Sequence, residues 1–246
     1  MFTVEQRDAF RDRILVLAQN DARVVAGAMV GSLALGGGDR FSDLDLTFAV
    51  ADDVPVAEVL DDWTATLKDD AAAVVLVDLE RGSTTYRVFL LPNALQFDLS
   101  MTPAARFAPA GPKFRLVFGE AIGPETPAKP PYAADLFGWG VIYALHSRSC
   151  IGRGRVMQAE HYIGAVRDHA LSLACLTRGL TAVQARGYDD LPADVRAGFD
   201  STHIASLHPA QLESALSAAV RELLHHGREA GVRSADASAQ RLGELV

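Results

Sequence analysis

Between Gly31 and Leu46 the chain reads GSLALGGGDRFSDLDL, and the residues around this segment leave it few ways to fold. The apolar run Val24, Val25, Ala26, Ala28, Met29 and Val30 enters Gly31 as a strand would. Glycine then allows the backbone to approach a ligand closely. Ser32 supplies a hydroxyl and opens a short helical turn through Leu33, Ala34 and Leu35, which Gly36, Gly37 and Gly38 end. Downstream, Leu44, Leu46 and Phe48 alternate with polar residues at the period of a half-buried strand, so Asp43 and Asp45 project from one face. The predicted order is strand, phosphate-binding turn, short helix, loop and carboxylate strand.

Two anionic oxygen donors side by side suit a hard divalent cation. Magnesium takes few carboxylates and draws its other ligands from water and substrate phosphate, so the pair fits a site that a nucleoside triphosphate completes. An Asp-x-Asp at a strand edge is also compatible with a solvated turn that holds no ligand. A third acid strengthens the metal reading. In the stretch from Leu95 to Met101, Phe97, Leu99 and Met101 share one face, and Gln96, Asp98 and Ser100 share the other. Asp78 competes for this role, but Glu80, Arg81 and Gly82 follow it as they would near a strand end, and strand context favours Asp98.

These residues resemble the nucleotidyltransferase superfamily of the DNA polymerase beta type, and within it the lincosamide and aminoglycoside nucleotidyltransferases. Gly31-Ser32, the Asp43/Asp45 pair and the apolar-Asp-apolar strand at Asp98 carry the resemblance. It extends more loosely into the second half through Gln158-Ala159-Glu160 and the run from Arg167 to Leu171. The resemblance implies an α/β (α+β) fold, with an N-terminal mixed-sheet nucleotidyltransferase domain over residues 1–125 and a C-terminal α-helical bundle over 126–246 that binds the acceptor. It also implies a reaction: an NMP group, adenylyl if the donor is ATP, passes to a hydroxyl of a small molecule such as an aminoglycoside or lincosamide, and pyrophosphate leaves. Asp43, Asp45 and Asp98 would be the catalytic residues and the ligands of two Mg²⁺ ions, with Gly31 and Ser32 positioning phosphate. Family members often carry an Arg where this chain has Leu35, so Arg40 or Arg167 would meet the triphosphate here. Glu160 would line the acceptor pocket. The other readings are a catalytically weakened nucleotidyltransferase-like nucleotide sensor, an antitoxin-type binding protein, or a non-enzymatic α/β scaffold.

Charge narrows the substrate. Residues 1–125 hold 11 Lys and Arg against 19 Asp and Glu, whereas residues 126–246 hold 12 against 12. The basic footprint of extended nucleic-acid recognition is missing, which favours a small acceptor. No apolar run approaches the ~20 residues of a membrane span, and Met1 to Asp8 lack a signal-peptide pattern, so a cytoplasmic protein is expected. Cys150 and Cys175 read as buried thiols. All seven histidines lie beyond residue 125 without H-E-x-x-H spacing, which argues against a histidine metal site. Helices are expected near 4–19, 56–67, 134–149, 156–178 and 209–229, with a shorter one over 195–207. Further strands are expected near 73–78, 85–91 and 94–101.

Overall fold

In the computed structural model, which describes residues 1–36, 38–109, 113–123 and 129–243, the chain forms two compact units, Met1–Ala128 and Lys129–Val246. The boundary expected at residue 125, with Pro124 and Pro127 beside it, lies outside the described residues, as do Gly37 and Pro112.

Thr3 opens the first unit by capping helix α1 (Val4–Asn20). Its hydroxyl accepts from the Gln6 amide at 3.2 Å while the Gln6 side chain accepts from the Thr3 amide at 3.0 Å, a capping box that satisfies two otherwise orphaned donors. Then follow β1 (Val24–Val30), a 3-10 turn (Gly31–Leu33), β2 (Leu44–Val50), α2 (Val56–Ala71), β3 (Val74–Arg81), β4 (Thr84–Leu90), β5 (Gln96–Pro103) and β6 (Phe114–Phe118). They build a six-stranded sheet in the order β3-β4-β5-β2-β1-β6. Among the described residues, only β2 and β5 run parallel. A parallel pair needs a long crossover, and α2 with the β3-β4 hairpin supplies it.

Burial fixes which way the strands face. Leu44, Leu46 and Phe48 on β2, and Phe97, Leu99 and Met101 on β5, pack with Phe10 and Ile14 of α1 and Leu60 and Trp63 of α2. Period-two alternation then turns Asp45, Thr47, Asp98 and Ser100 to the opposite face. A one-residue slip would expose the apolar set. At about 2 kcal/mol for each fully buried Leu or Phe, that exchange is prohibitive, so the core holds the carboxylates on their face.

The second unit is helical: α3 (Ala133–Gly152), α4 (Val156–Leu176), α5 (Ala193–Gly198), α6 (Pro209–Glu229) and α7 (Ala235–Leu242). Phe137 of α3, Ile163, Val166 and Leu173 of α4, and Leu212, Leu216 and Leu223 of α6 form its core. The helix expected over 195–207 is instead α5 followed by a 3-10 turn at Asp200–Thr202. There the Thr202 hydroxyl donates to the Phe199 carbonyl at 2.6 Å, a local bond that competes with helix continuation. The elements β6 and α7 were not expected. Among the described residues, no helix is long and apolar enough to cross a membrane.

Candidate active site

Parallel pairing of β2 with β5 sets Asp45 directly beside Asp98. Asp43, with which the alternation begins, immediately precedes β2, which starts one residue later at Leu44. One ligand oxygen from each of Asp43, Asp45 and Asp98 lies within 4.8 Å of the others. All three side chains are partly buried, a setting in which neighbouring negative charges repel strongly unless a cation or proton relieves them. Asp98 is shifted mainly by its burial. Burial pushes its carboxyl above the usual aspartate range; the Gln96 amide, donating to Oδ1 at 2.9 Å, opposes the shift, and the Asp43 charge adds to it.

The glycine-serine turn closes on the same carboxylates. Gly31 has φ +70°, and a Cβ built there would collide with Asp45 Oδ2 and sit 2.9 Å from Asp45 Cγ. The backbone therefore comes against a carboxylate at a position where any side chain would intrude. Next to it, Ser32 Oγ is buried without a hydrogen-bond partner among the described residues. An orphaned buried hydroxyl is costly unless a ligand completes it. Gly31→Ala should destabilise the protein by about 1–2 kcal/mol, through left-handed strain and the collision with Asp45, and should abolish whatever chemistry the carboxylates perform. Thermal unfolding beside an activity assay checks both effects; an unchanged melting temperature would contradict the close approach.

The other predicted residues are placed differently. Asp78 lies within β3, which continues to Arg81, and not near a strand end. It faces Arg87 across the β3-β4 hairpin, with Arg87 Nη2 2.6 Å from Oδ2, and the same guanidinium reaches Asp61 and Thr64 of α2. That hydrogen-bonded partner holds the Asp78 carboxyl below the usual range. Arg40 is exposed on the loop into Asp43, its guanidinium 4.4 Å from the Phe41 ring centroid. Leu35 is exposed. Glu160 and Arg167 belong to α4 in the second unit. Glu160 is exposed; Arg167 Nη1 lies 3.5 Å from His203 Nδ1 and its Nε 3.9 Å from Asp168 Oδ1.

Two features escaped the sequence. Arg7 of α1 is only 3% exposed, and its guanidinium donates to the carbonyls of Asp39 and Ser42 at 2.6 and 3.1 Å, in the loop that leads into Asp43. In the second unit, ligand atoms of His225, His226 and Glu229 also lie within 4.8 Å of one another. His226 Nδ1 is 2.7 Å from Glu229 Oε2, and Nη1 of Arg178, in the turn after α4, is 3.3 Å from that same oxygen, so this carboxylate already has cationic and hydrogen-bonding partners.

No protein-family model matches the chain, and none of the curated proteins matches its sequence. Among solved structures, it is similar to an aminoglycoside 6-adenyltransferase from Bacillus subtilis, at a TM-score of 0.42 and 13% identity over 99% of this chain and 98% of that one.

Proposed function

We propose that the protein is a divalent-metal-dependent nucleotidyltransferase that moves an NMP group, with ATP as the favoured donor, onto a hydroxyl of a small molecule. The observation that carries this reading is the meeting of Asp43, Asp45 and Asp98 within 4.8 Å, against a turn that offers a glycine cradle and an unpartnered buried serine hydroxyl. Three clustered carboxylates fit divalent cations such as Mg²⁺ because the attraction of each to the cation outweighs their mutual repulsion. Bound there, two cations would neutralise triphosphate charge and lower the pKa of the acceptor hydroxyl.

The chain's own groups have separable tasks. Asp43 and Asp45 hold the cationic charge. Ser32 Oγ donates to a phosphate oxygen, and Gly31 leaves room for the Asp45 carboxylate to come against the turn that presents this hydroxyl. Asp98 accepts the acceptor's proton at a carboxylate oxygen. The acceptor oxygen then bonds to the α-phosphorus as the bond to the β-phosphate bridging oxygen breaks, and pyrophosphate carries away the electron pair. An aminoglycoside or lincosamide acceptor belongs to this proposal, since the acidic first half suits a cationic partner. Residues 126–246, with Glu160 among them, would choose that acceptor.

Incubating purified protein with each of four NTPs, Mg²⁺ and a panel of hydroxylated small molecules, and following pyrophosphate, tests the reading. Release that needs acceptor and metal together supports it. Metal-dependent NTP binding without release under any acceptor would favour the nucleotide-sensor alternative, and absence of both would reject the site.

Arg167 is proposed to replace the basic residue missing at Leu35. Arg167→Ala should then weaken binding of a nonhydrolysable Mg²⁺-ATP analogue about tenfold, with Arg167→Lys recovering part, because lysine keeps the charge and loses the planar fork. Titration calorimetry on folded variants decides it. Unchanged affinity in Arg167→Ala would confine the residue to its contacts with His203 and Asp168.

A further inference from the structure

Burying a guanidinium is expensive, and chains tolerate it where the donors are well used. Arg7 uses them on main-chain carbonyls of a segment that has no strand or helix of its own. Nη1 donates to Asp39 O at 2.6 Å and to Ser42 O at 3.1 Å, and Nε to Asp8 Oδ1 at 3.3 Å. Ser42 immediately precedes Asp43, so the second carbonyl belongs to the peptide that carries the Asp43 amide. The loop is braced internally as well. The Asp39 carboxylate accepts from the Phe41 amide at 2.8 Å and the Ser42 hydroxyl at 3.1 Å, and the Asp39 amide donates to Ser42 Oγ at 3.0 Å. At its start, Gly38 lies so close to the Leu33 side chain that a Cβ there would collide with it. The loop is therefore held between α1 and the Gly31–Leu33 turn.

Asp45 and Asp98 take their positions from paired strands, whereas Asp43 stands just outside β2 and has no ladder to fix it. From this we infer that Arg7 is a positioning residue for the cation site: by clamping the carbonyls of Asp39 and Ser42 it sets the direction from which Asp43 enters the carboxylate cluster. The inference rests on the reading of that cluster as a metal site. Arg7 itself touches neither cation nor nucleotide. Its effect should appear in cation affinity and in the amount of cation needed for turnover, and should fade when the cation is saturating, because a loosened Asp43 can still be captured at higher concentration.

The test is Mn²⁺ binding to the full chain, followed by electron paramagnetic resonance in the presence of a nonhydrolysable ATP analogue, for wild type, Arg7→Met, Arg7→Lys, Asp39→Ala and Asp43→Asn. Arg7→Met should raise the Mn²⁺ dissociation constant about tenfold, Arg7→Lys less, and Asp39→Ala should follow Arg7→Met, because it loosens the loop from the other side. Should Arg7→Met not fold, Arg7→Lys and Asp39→Ala give the answer alone. A purely structural role would lower the melting temperature and leave the dissociation constant of the folded variants at the wild-type value, which would overturn the inference. If wild type binds Mn²⁺ and Asp43→Asn does not, while Arg7→Lys and Asp39→Ala both bind as wild type, only the role of Arg7 fails. If wild type itself does not bind, the metal site and the clamp fall together.

Discussion

Asp43→Asn and Asp45→Asn should each lower metal-dependent transfer by about a thousandfold or more, equivalent to roughly 4 kcal/mol of transition-state stabilisation. Neither should unfold the protein. Asparagine keeps the volume and one oxygen but removes the charge that a hard cation needs, and it relieves a repulsion that the metal-free cluster otherwise carries. The two variants should differ in how they fail. Asp45 is fixed by its register opposite Asp98 and by the backbone at Gly31, so extra cation should not rescue its loss. Asp43 enters from a clamped loop, and its loss should leave a little activity at high Mn²⁺. Steady-state rates across a cation titration, with circular dichroism to verify folding, measure both. Full activity in either variant would remove that carboxylate from the proposed site.

The strands that carry the acids were readable because one face of each is buried. Leu44, Leu46 and Phe48, and Phe97, Leu99 and Met101, announce a period of two, and the period leaves no freedom for Asp45 and Asp98. The strand β6 gave no such signal. Its central residues are exposed, so alternation is absent, and it is held by pairing with β1, whose residues lie far away in sequence. Arg7 was illegible for a related reason. It sits among Glu5, Gln6 and Asp8 and looks like a solvent-facing helix residue; its burial depends on carbonyls 32 and 35 residues onward. In the second unit, Pro209 at the start of α6 and the apolar spacing from Leu212 to Leu223 made that helix plain. The 3-10 turn after Gly198, where the Thr202 amide and hydroxyl both donate to the Phe199 carbonyl, left no mark in the apolar spacing.

Strand context in the sequence favours Asp98 over Asp78, and cross-strand pairing, which periodicity does not contain, sets Asp98 beside Asp45 and Asp78 beside Arg87, which separates their variants. Asp98→Asn should reduce transfer by about a thousandfold, since it removes both a ligand charge and the proposed proton acceptor. Asp78→Asn should change transfer less than about threefold. Its cost should fall on stability instead, and stay under about 1 kcal/mol because the Arg87 pair is partly open to solvent and Arg87 retains Asp61. The opposite holds for Asp98 in the metal-free protein. Burial raises its carboxyl pKa above the unfolded value, so the folded state binds that proton more tightly than the unfolded chain does. Metal-free stability should therefore decline as pH rises from the unfolded pKa through the folded one, and remain lower above it. Asp98→Asn removes this decline, so the variant should melt slightly above wild type at neutral pH, the difference shrinking toward acid pH as Asp98 becomes protonated in both states. Melting curves with a chelator present at several pH values, set beside transfer rates with Mg²⁺, test the two assignments together. Equal and mild losses of transfer in Asp98→Asn and Asp78→Asn would overturn Asp98 as the third carboxylate, and a metal-free Asp98→Asn that melts below wild type at neutral pH would show that burying the ionised Asp98 carboxylate does not carry the cost argued for it.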